Sequence, residues 1–187
     1  MSAWIFLFVG FAIGLFVVWM LRKKLGFTAQ NPSDYEDAMP EFDVRKHLNG
    51  PITCEGVIFG PFGRVSSRFV ADFEGSWDGE NGSLKEAFTY DDGSSQNREW
   101  HLSLGEDGSL LAMADDVVGQ GTGCQTGSTV QLKYRIKLPE ASGGHVLDTV
   151  DWMYLTPNGT IINRSQFRKF GFKVAELVAT MRPKDAA

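Results

Sequence analysis

Residues 130–138 read Val130-Gln131-Leu132-Lys133-Tyr134-Arg135-Ile136-Lys137-Leu138, with apolar and polar side chains alternating without a break. A strand points successive side chains to opposite faces, so this segment has one dry face and one wet face. The same period of two extends in both directions along the chain. It predicts strands over 52–58, 65–74, 83–90, 97–104, 109–117, 129–138, 145–155, 160–169 and 172–181. Tight glycine-bearing turns separate many of them: Asp91-Asp92-Gly93, Glu106-Asp107-Gly108, Ser142-Gly143-Gly144 and Pro157-Asn158-Gly159. No helical segment between strands is long enough for a crossover, which excludes a parallel α/β fold. A meander of eight to nine strands must close or stack to hide its edges. The expectation is an all-β, antiparallel up-and-down barrel, with a two-sheet sandwich as the alternative.

Outside the strand region lies a different object. Trp4 to Leu21 (WIFLFVGFAIGLFVVWML) carries no charge, and at 1.5 Å rise per residue it spans roughly 27 Å, close to the thickness of a bilayer core. Trp4 and Trp19 sit near its ends, and Gly10 and Gly14 form a G-x-x-x-G pair suited to helix–helix self-association. Nothing basic precedes the apolar run, while Arg22-Lys23-Lys24 follows it, so it reads as an uncleaved single-pass anchor rather than a signal peptide. Basic residues stay on the cytoplasmic side, which predicts an inner-membrane protein with its barrel in the cytoplasm; a periplasmic barrel is the alternative. The 187 residues carry a net charge of −5. Setting aside the three basic residues before position 28 leaves 15 basic and 23 acidic ones, a domain of −8. That balance argues against nucleic-acid binding. The organisation is therefore an anchor with its basic flank (1–27), an acidic linker (28–41) read as an exposed tether, a barrel (42–182) and a tail (183–187). Within the barrel's first residues, 42–48 suit a short helix capped by Asp43 and ended by Asn49-Gly50-Pro51.

Motifs that carry chemistry are sparse. The glycine run from Gly119 to Gly127 lacks both the helix of a dinucleotide fingerprint and the lysine of a phosphate loop, so it reads as a loop or as a place where strands bend. His47, His101 and His145 show no metal-ligand spacing; Cys54 and Cys124 are isolated, and no cofactor or metal is expected. Sequons at Asn81, Asn158 and Asn163 matter only in a eukaryotic secretory pathway. No residue stands out as a catalytic nucleophile.

The paired acids Asp91-Asp92 and Asp115-Asp116, and Asp151 before Trp152, say more, because neighbours in a strand face opposite ways. Counting by two from Leu111 and Met113 aims Asp115 inward, and Arg98 shares a face with Trp100, Leu102 and Leu104. The expected ligand-binding set is Arg98, Asp115 and Asp151 as polar groups, with Trp100, Tyr134 and Trp152 as walls. A buried salt bridge that fixes register is the alternative reading of the charges.

Four ordered blocks resemble the uncharacterised bacterial domain-of-unknown-function-3833 family. They are Phe69-Val70-Ala71-Asp72-Phe73-Glu74-Gly75-Ser76-Trp77-Asp78-Gly79; Phe88-Thr89-Tyr90-Asp91-Asp92-Gly93 with Arg98-Glu99-Trp100; Ala114-Asp115-Asp116-Val117-Val118-Gly119; and Asp151-Trp152-Met153-Tyr154-Leu155 with Asn163-Arg164 and Lys169-Phe170-Gly171. The likeness spans roughly 42–182 and implies a lipocalin-like (calycin) barrel. It also implies frequent lipoprotein tethering and an association with enzymes that modify membrane acyl chains, but no established activity. The chain departs from that family where a spanning helix replaces the lipid-attachment cysteine, and in the 123–129 loop.

The leading functional expectation is a non-enzymatic, membrane-tethered barrel that binds an apolar or acyl-chain lipid ligand and assists acyl modification. Two alternatives stand beside it. One is an accessory subunit of a membrane complex with a solid core, and the other is a lipid-acting enzyme using an inward carboxylate.

Overall fold

Strand β2 (Val65–Asp78) shows how the sequence builds the wall. Phe69, Ala71, Phe73 and Gly75 are buried on one side, while Val70, Asp72 and Glu74 are exposed on the other. A computed structural model describes residues 3–184; positions 185–187 of the tail lie outside the described residues, as do the side chains of Arg22 and Lys23 in the basic flank. Nine further strands complete the wall: β1 (Gly50–Phe59), β3 (Asn81–Tyr90), β4 (Ser95–Leu104), β5 (Ser109–Met113), β6 (Gly121–Thr126), β7 (Thr129–Lys137), β8 (Val146–Leu155), β9 (Ile161–Lys169) and β10 (Phe172–Pro183). Each pairs antiparallel with the next, and β10 pairs back onto β1 from Ile52–Pro183 to Phe59–Glu176. The result is a closed ten-stranded barrel, and the sandwich alternative falls away.

The strand missing from the sequence count is β6. Its composition (Gly121, Gly123) is poor for a strand, but the packing requires it. A Cβ on Gly123 would sit 1.8 Å from the Gln131 carbonyl oxygen, so the wall bends there at a place only glycine fits. β5 is correspondingly shorter than expected. It stops at Met113, and the chain turns at Ala114–Val117.

A plug closes one end of the barrel. Asp43 caps α2 (Val44–His47) by accepting from the Arg45 N–H at 3.0 Å. Phe42, Val44 and Leu48 are buried with the barrel's own core side chains, each contributing about 1.5–3 kcal/mol of burial. Polar contacts pin the plug on opposite sides. Trp77 Nε1 donates to the Leu48 carbonyl at 2.9 Å, while Val44 N donates to Gln125 Oε1 at 3.1 Å and Phe42 N to the Gly127 carbonyl at 2.7 Å.

The segment expected as an exposed tether is seated on the barrel's outer wall instead. Two short 3-10 turns, Phe27–Ala29 and Pro32–Tyr35, run across β6–β9. Tyr35 packs edge-on against Trp152 (5.4 Å) and Tyr154 (5.9 Å), and Gln30 Oε1 accepts from the hydroxyls of Tyr35 and Tyr154. The Arg164 guanidinium lies 4.7 Å from the Phe27 ring. Aromatic residues within a polar stretch provide the attachment that composition alone concealed. Ahead of the linker, α1 (Ala3–Lys24) is exposed over Trp4–Leu21, a window with a mean hydropathy of 2.5 that is long and apolar enough to cross a membrane.

At the end opposite the plug, β9 and β10 are joined by the two-residue turn Phe170-Gly171. Phe170 adopts φ 51°, the only positive φ outside glycine among the described residues, a conformation that costs an L-residue about 1 kcal/mol.

Gly123→Ala should therefore destabilise the protein by about 3 kcal/mol or more, because the new Cβ meets backbone that cannot yield. Gly159→Ala, which enters open space at φ +82°, should cost only about 1 kcal/mol. Urea midpoints of the two variants check the contrast.

Candidate functional site

The inner face of β4 carries Arg98, Trp100, Leu102 and Leu104, as their spacing requires. Arg98 is thereby driven inside, its side chain only 13% exposed. Its guanidinium lies 4.0 Å over the Trp100 ring and 5.7 Å from the Tyr134 ring, and those two rings meet edge-to-face at 5.1 Å. Nε donates to Asp116 Oδ1 at 2.9 Å. Glu86, which is in register with Arg98 on β3, brings Oε2 to 3.9 Å from Nη1. On β8 and β9, Asp151 Oδ1 accepts from Ser165 Oγ at 2.8 Å and from Asn163 Nδ2.

These side chains line an interior cavity of about 110 Å³, walled by Phe69, Phe73, Leu84, Leu132 and Met153 and floored by Leu48 of the plug. Within it, Glu86 Oε2 and Arg98 Nη2 are buried without a hydrogen-bond partner. Leaving such groups unpaired costs on the order of 1–3 kcal/mol each, so they define where a polar ligand atom would be stabilised. Burial pushes the Glu86 carboxyl up to about 7 against the pull of Arg98. Burial likewise raises Asp151, opposed by its bonds from Ser165 and Asn163, and raises the Tyr134 hydroxyl. Burial works against the charge of Arg98, but Tyr134, Glu86 and Asp116 outweigh it and hold the cation firmly. Cys54, also on the cavity wall, is a free thiol pushed up to about 12 by burial and the nearby Glu86, which leaves it a poor nucleophile. Among the described residues no group of three or more His, Cys, Asp or Glu side chains could hold a metal ion.

The wall beside Arg98 is incomplete. β4 pairs with β5 only from His101 to Leu104, so Ser95–Trp100 has no β5 partner. The segment after β5 turns to β7 instead: Val118 N donates to the Arg135 carbonyl, Lys137 N to that of Asp116, and Val117 bridges to Ile136. The Arg98–Asp116 ion pair spans this gap. Outside it lies an open groove of about 600 Å³ lined by Gln96, Asn97, Glu99, Asp115 and Asp116, and Glu86 and Arg98 face both groove and cavity. Glu86 and Arg98 thus stand between the outer groove and the interior cavity.

Of the six residues expected at the site, Arg98, Trp100, Tyr134 and Asp151 come together on the cavity. Asp115 does not. Leu110 and Ala112 face inward on β5 while Leu111 and Met113 are exposed, so counting from the latter pair chose the wrong face. Both parities carry a leucine there, and the turn after Met113 breaks the period before it reaches the acids. Asp115 sits on the outer groove, and its neighbour Asp116 takes the arginine. Trp152 is fully buried, but as an outward-facing residue beneath Tyr35, not as a cavity wall. Glu86, Asn163 and Ser165 were missed. Glu86 was detectable as the one charged residue between Leu84 and Phe88 at period two.

A family model described as "Protein of unknown function (DUF3833)" matches residues 22–183. The chain belongs to this family. The DUF3833 match takes in the linker as well as the barrel, beginning well ahead of the 42–182 span legible from motifs, and leaves most of α1 outside it. Among solved structures, the crystal structure of Rv2717c from M. tuberculosis resembles this one with a TM-score of 0.55 at 14% identity, covering 79% of this chain and 99% of that one. The likeness is one of fold. No curated protein matches the sequence.

A carboxyl raised in the folded state withholds stability once the unfolded chain ionises. The Glu86 penalty is absent below its ordinary value of 4.5, grows as pH rises and is complete above about 7. Glu86→Gln should therefore gain stability relative to the parent by about 2 kcal/mol more at pH 8 than at pH 5, measured by urea unfolding at the two pH values.

Proposed function

We propose that this DUF3833 protein is a membrane-tethered binding barrel, not an enzyme, whose chamber takes the polar end and first few carbons of an acyl-type amphiphile. The observation that carries the reading is the pair of buried polar atoms without a hydrogen bond, Arg98 Nη2 and Glu86 Oε2, on a cavity where the polar side chains of Asp151, Asn163 and Ser165 bond to one another and the remaining wall is mostly apolar. A carboxylate or other acceptor at Arg98 would complete the guanidinium's bonds, and a protonated Glu86 could donate to the same oxygen. The cavity's 110 Å³ is somewhat below the roughly 150 Å³ engineered void that holds benzene, so a long chain would not fit whole. The outer groove offers the route, with the Arg98–Asp116 pair as the gate.

Location supports the acyl class. In this reading the Trp4–Leu21 helix is a single-pass anchor and the barrel lies on the cytoplasmic side, beside Arg22, Lys23 and Lys24; lipid-derived amphiphiles are then the apolar molecules nearest the tether. Passing such a cargo to or from an acyl-modifying membrane enzyme fits this placement.

The test is a thermal-shift series on the full chain in a non-acyl detergent with saturated fatty acids from four to sixteen carbons, together with mass analysis of co-purified small molecules. A ligand at about 100 times its Kd stabilises by about 2.7 kcal/mol, a rise of several degrees in Tm. Arg98→Lys, which keeps the charge but removes the guanidinium fork, should abolish the shift. No shift across the series and no co-purified molecule would refute the reading.

A further inference from the structure

Among the described residues of the barrel domain, the three most exposed large apolar side chains are Phe62 (93%), Phe170 (86%) and Phe172 (70%). All three lie at the end opposite the plug, on two hairpin tips, β1–β2 and β9–β10. β1 and β10 are paired, and continuing their register past Phe59–Glu176 sets Phe62 level with Lys173. The tips are therefore neighbours. Phe170 holds a position in its two-residue turn, φ 51°, where asparagine or glycine is the ordinary occupant. Strain kept at an exposed phenylalanine is unexplained by packing within the chain.

Charge singles out the same tips. Residues 60–64 and 167–173 hold Arg64, Arg168, Lys169 and Lys173 and no acid, in a barrel domain (42–182) of net −4. Arg168 also donates to the Gly171 carbonyl and Lys173 pairs with Glu176, while Lys169 lies 5.5 Å from the Phe170 ring and 3.3 Å from His145 Nδ1. The contrast is with the other turns: those sharing this end carry Asp91, Asp92, Asp115, Asp116 and Glu140, and at the plug end the basic residues Arg45 and Lys46 sit on α2 and not on the hairpin tips. The plug-end turns at 78–81 and 105–108 carry Asp78, Glu80, Glu106 and Asp107 and no basic residue.

The tether can reach. Phe27 is held against Arg164, and the three residue steps back to the end of α1 at Lys24 span at most about 10 Å. From Arg164 the β9 tip is five residues on, about 12–14 Å along the barrel axis for a tilted strand. Either end of the barrel lies near the plane where α1 ends, so side-chain chemistry decides which end meets it.

We propose that the β1–β2 and β9–β10 tips form a membrane-contact surface, on which Phe62, Phe170 and Phe172 enter the headgroup region of an anionic phospholipid leaflet with the basic residues beside them. Aromatic rings with flanking Lys and Arg match that interface, whereas the plug-end turns at 78–81 and 105–108 present acids and no exposed large apolar side chain. The proposal rests on α1 being an anchor in the same bilayer. It sets the barrel's posture, mouth toward the lipid and plug away.

The experiment places nitroxide labels singly at 62 and 170, at 107 and 158 on the plug end, and at 11 in α1, in a Cys54→Ala/Cys124→Ser background of the full chain checked by near-UV circular dichroism. One chain is reconstituted per nanodisc, with or without phosphatidylglycerol, and oxygen-to-nickel accessibility is read at each site. In anionic discs the ratio at 62 and 170 should exceed that at 107 and 158 by about tenfold, and Arg64→Glu/Lys169→Glu should remove the difference. On the unlabelled parent chain, amides of 60–64 and 168–173 should exchange more slowly in anionic than in zwitterionic discs. Aqueous readings at both tips with a lipid reading at 11 would overturn this proposal and leave the anchor standing. An aqueous reading at 11 would overturn the anchor, with the tip labels still deciding whether the surface binds lipid by itself.

Discussion

Pairing of β10 with β1 is the constraint on which the rest depends. It removes both sheet edges at once and commits one side of every strand to a closed volume. Whatever points inward must be packed, paired or left to meet a guest. Most inward positions solve this with apolar side chains, and two clusters do not: Arg98 with Glu86 and Asp116, and Asp151 with Asn163 and Ser165. The Asp151 cluster is well hydrogen-bonded. The arginine cluster keeps two atoms unsatisfied, and it sits where the wall itself is unfinished.

The barrel was legible in sequence because most of its strands are wet on one side. β7 alternates over nine residues, and the turns around it carry their glycines where hairpins need them. β6 was not legible, since Gly123 answers to the Gln131 carbonyl and Gly121 to Tyr134, both on the neighbouring strand, a long-range demand that leaves only a breaker's signature locally. The site was half legible for a related reason. Arg98, Trp100 and Tyr134 follow from unbroken alternation, and Asp151 from its strand, whereas Asp115 lies just past a strand's end, where a period of two no longer governs. Trp152 shows a further limit: an aromatic residue in a strand signals burial, but does not say whether the cover is the core or a segment from elsewhere in the chain.

That cover is the linker, and it changes what the polar stretch means. Acidic and proline-bearing composition suggests a chain without fixed position, but Phe27, Gln30 and Tyr35 each find a partner on the wall. The family match over 22–183 includes this segment, so strap and barrel form one unit.

The plug has a bearing on the order in which the protein is made. Val44 and Gln125 are hydrogen-bonded across 81 positions, so the α2 seat is incomplete until β6 and β7 exist. During synthesis the helix that closes the floor emerges first and must wait, while the wall assembles by successive hairpins and β10 arrives last. Until then α2 is a short, isolated helix, too short to persist unaided. The barrel thus gains the contacts that seat its floor before its final seam, and a chain ended before β10 would lack the seam that gives the floor a complete vessel to close.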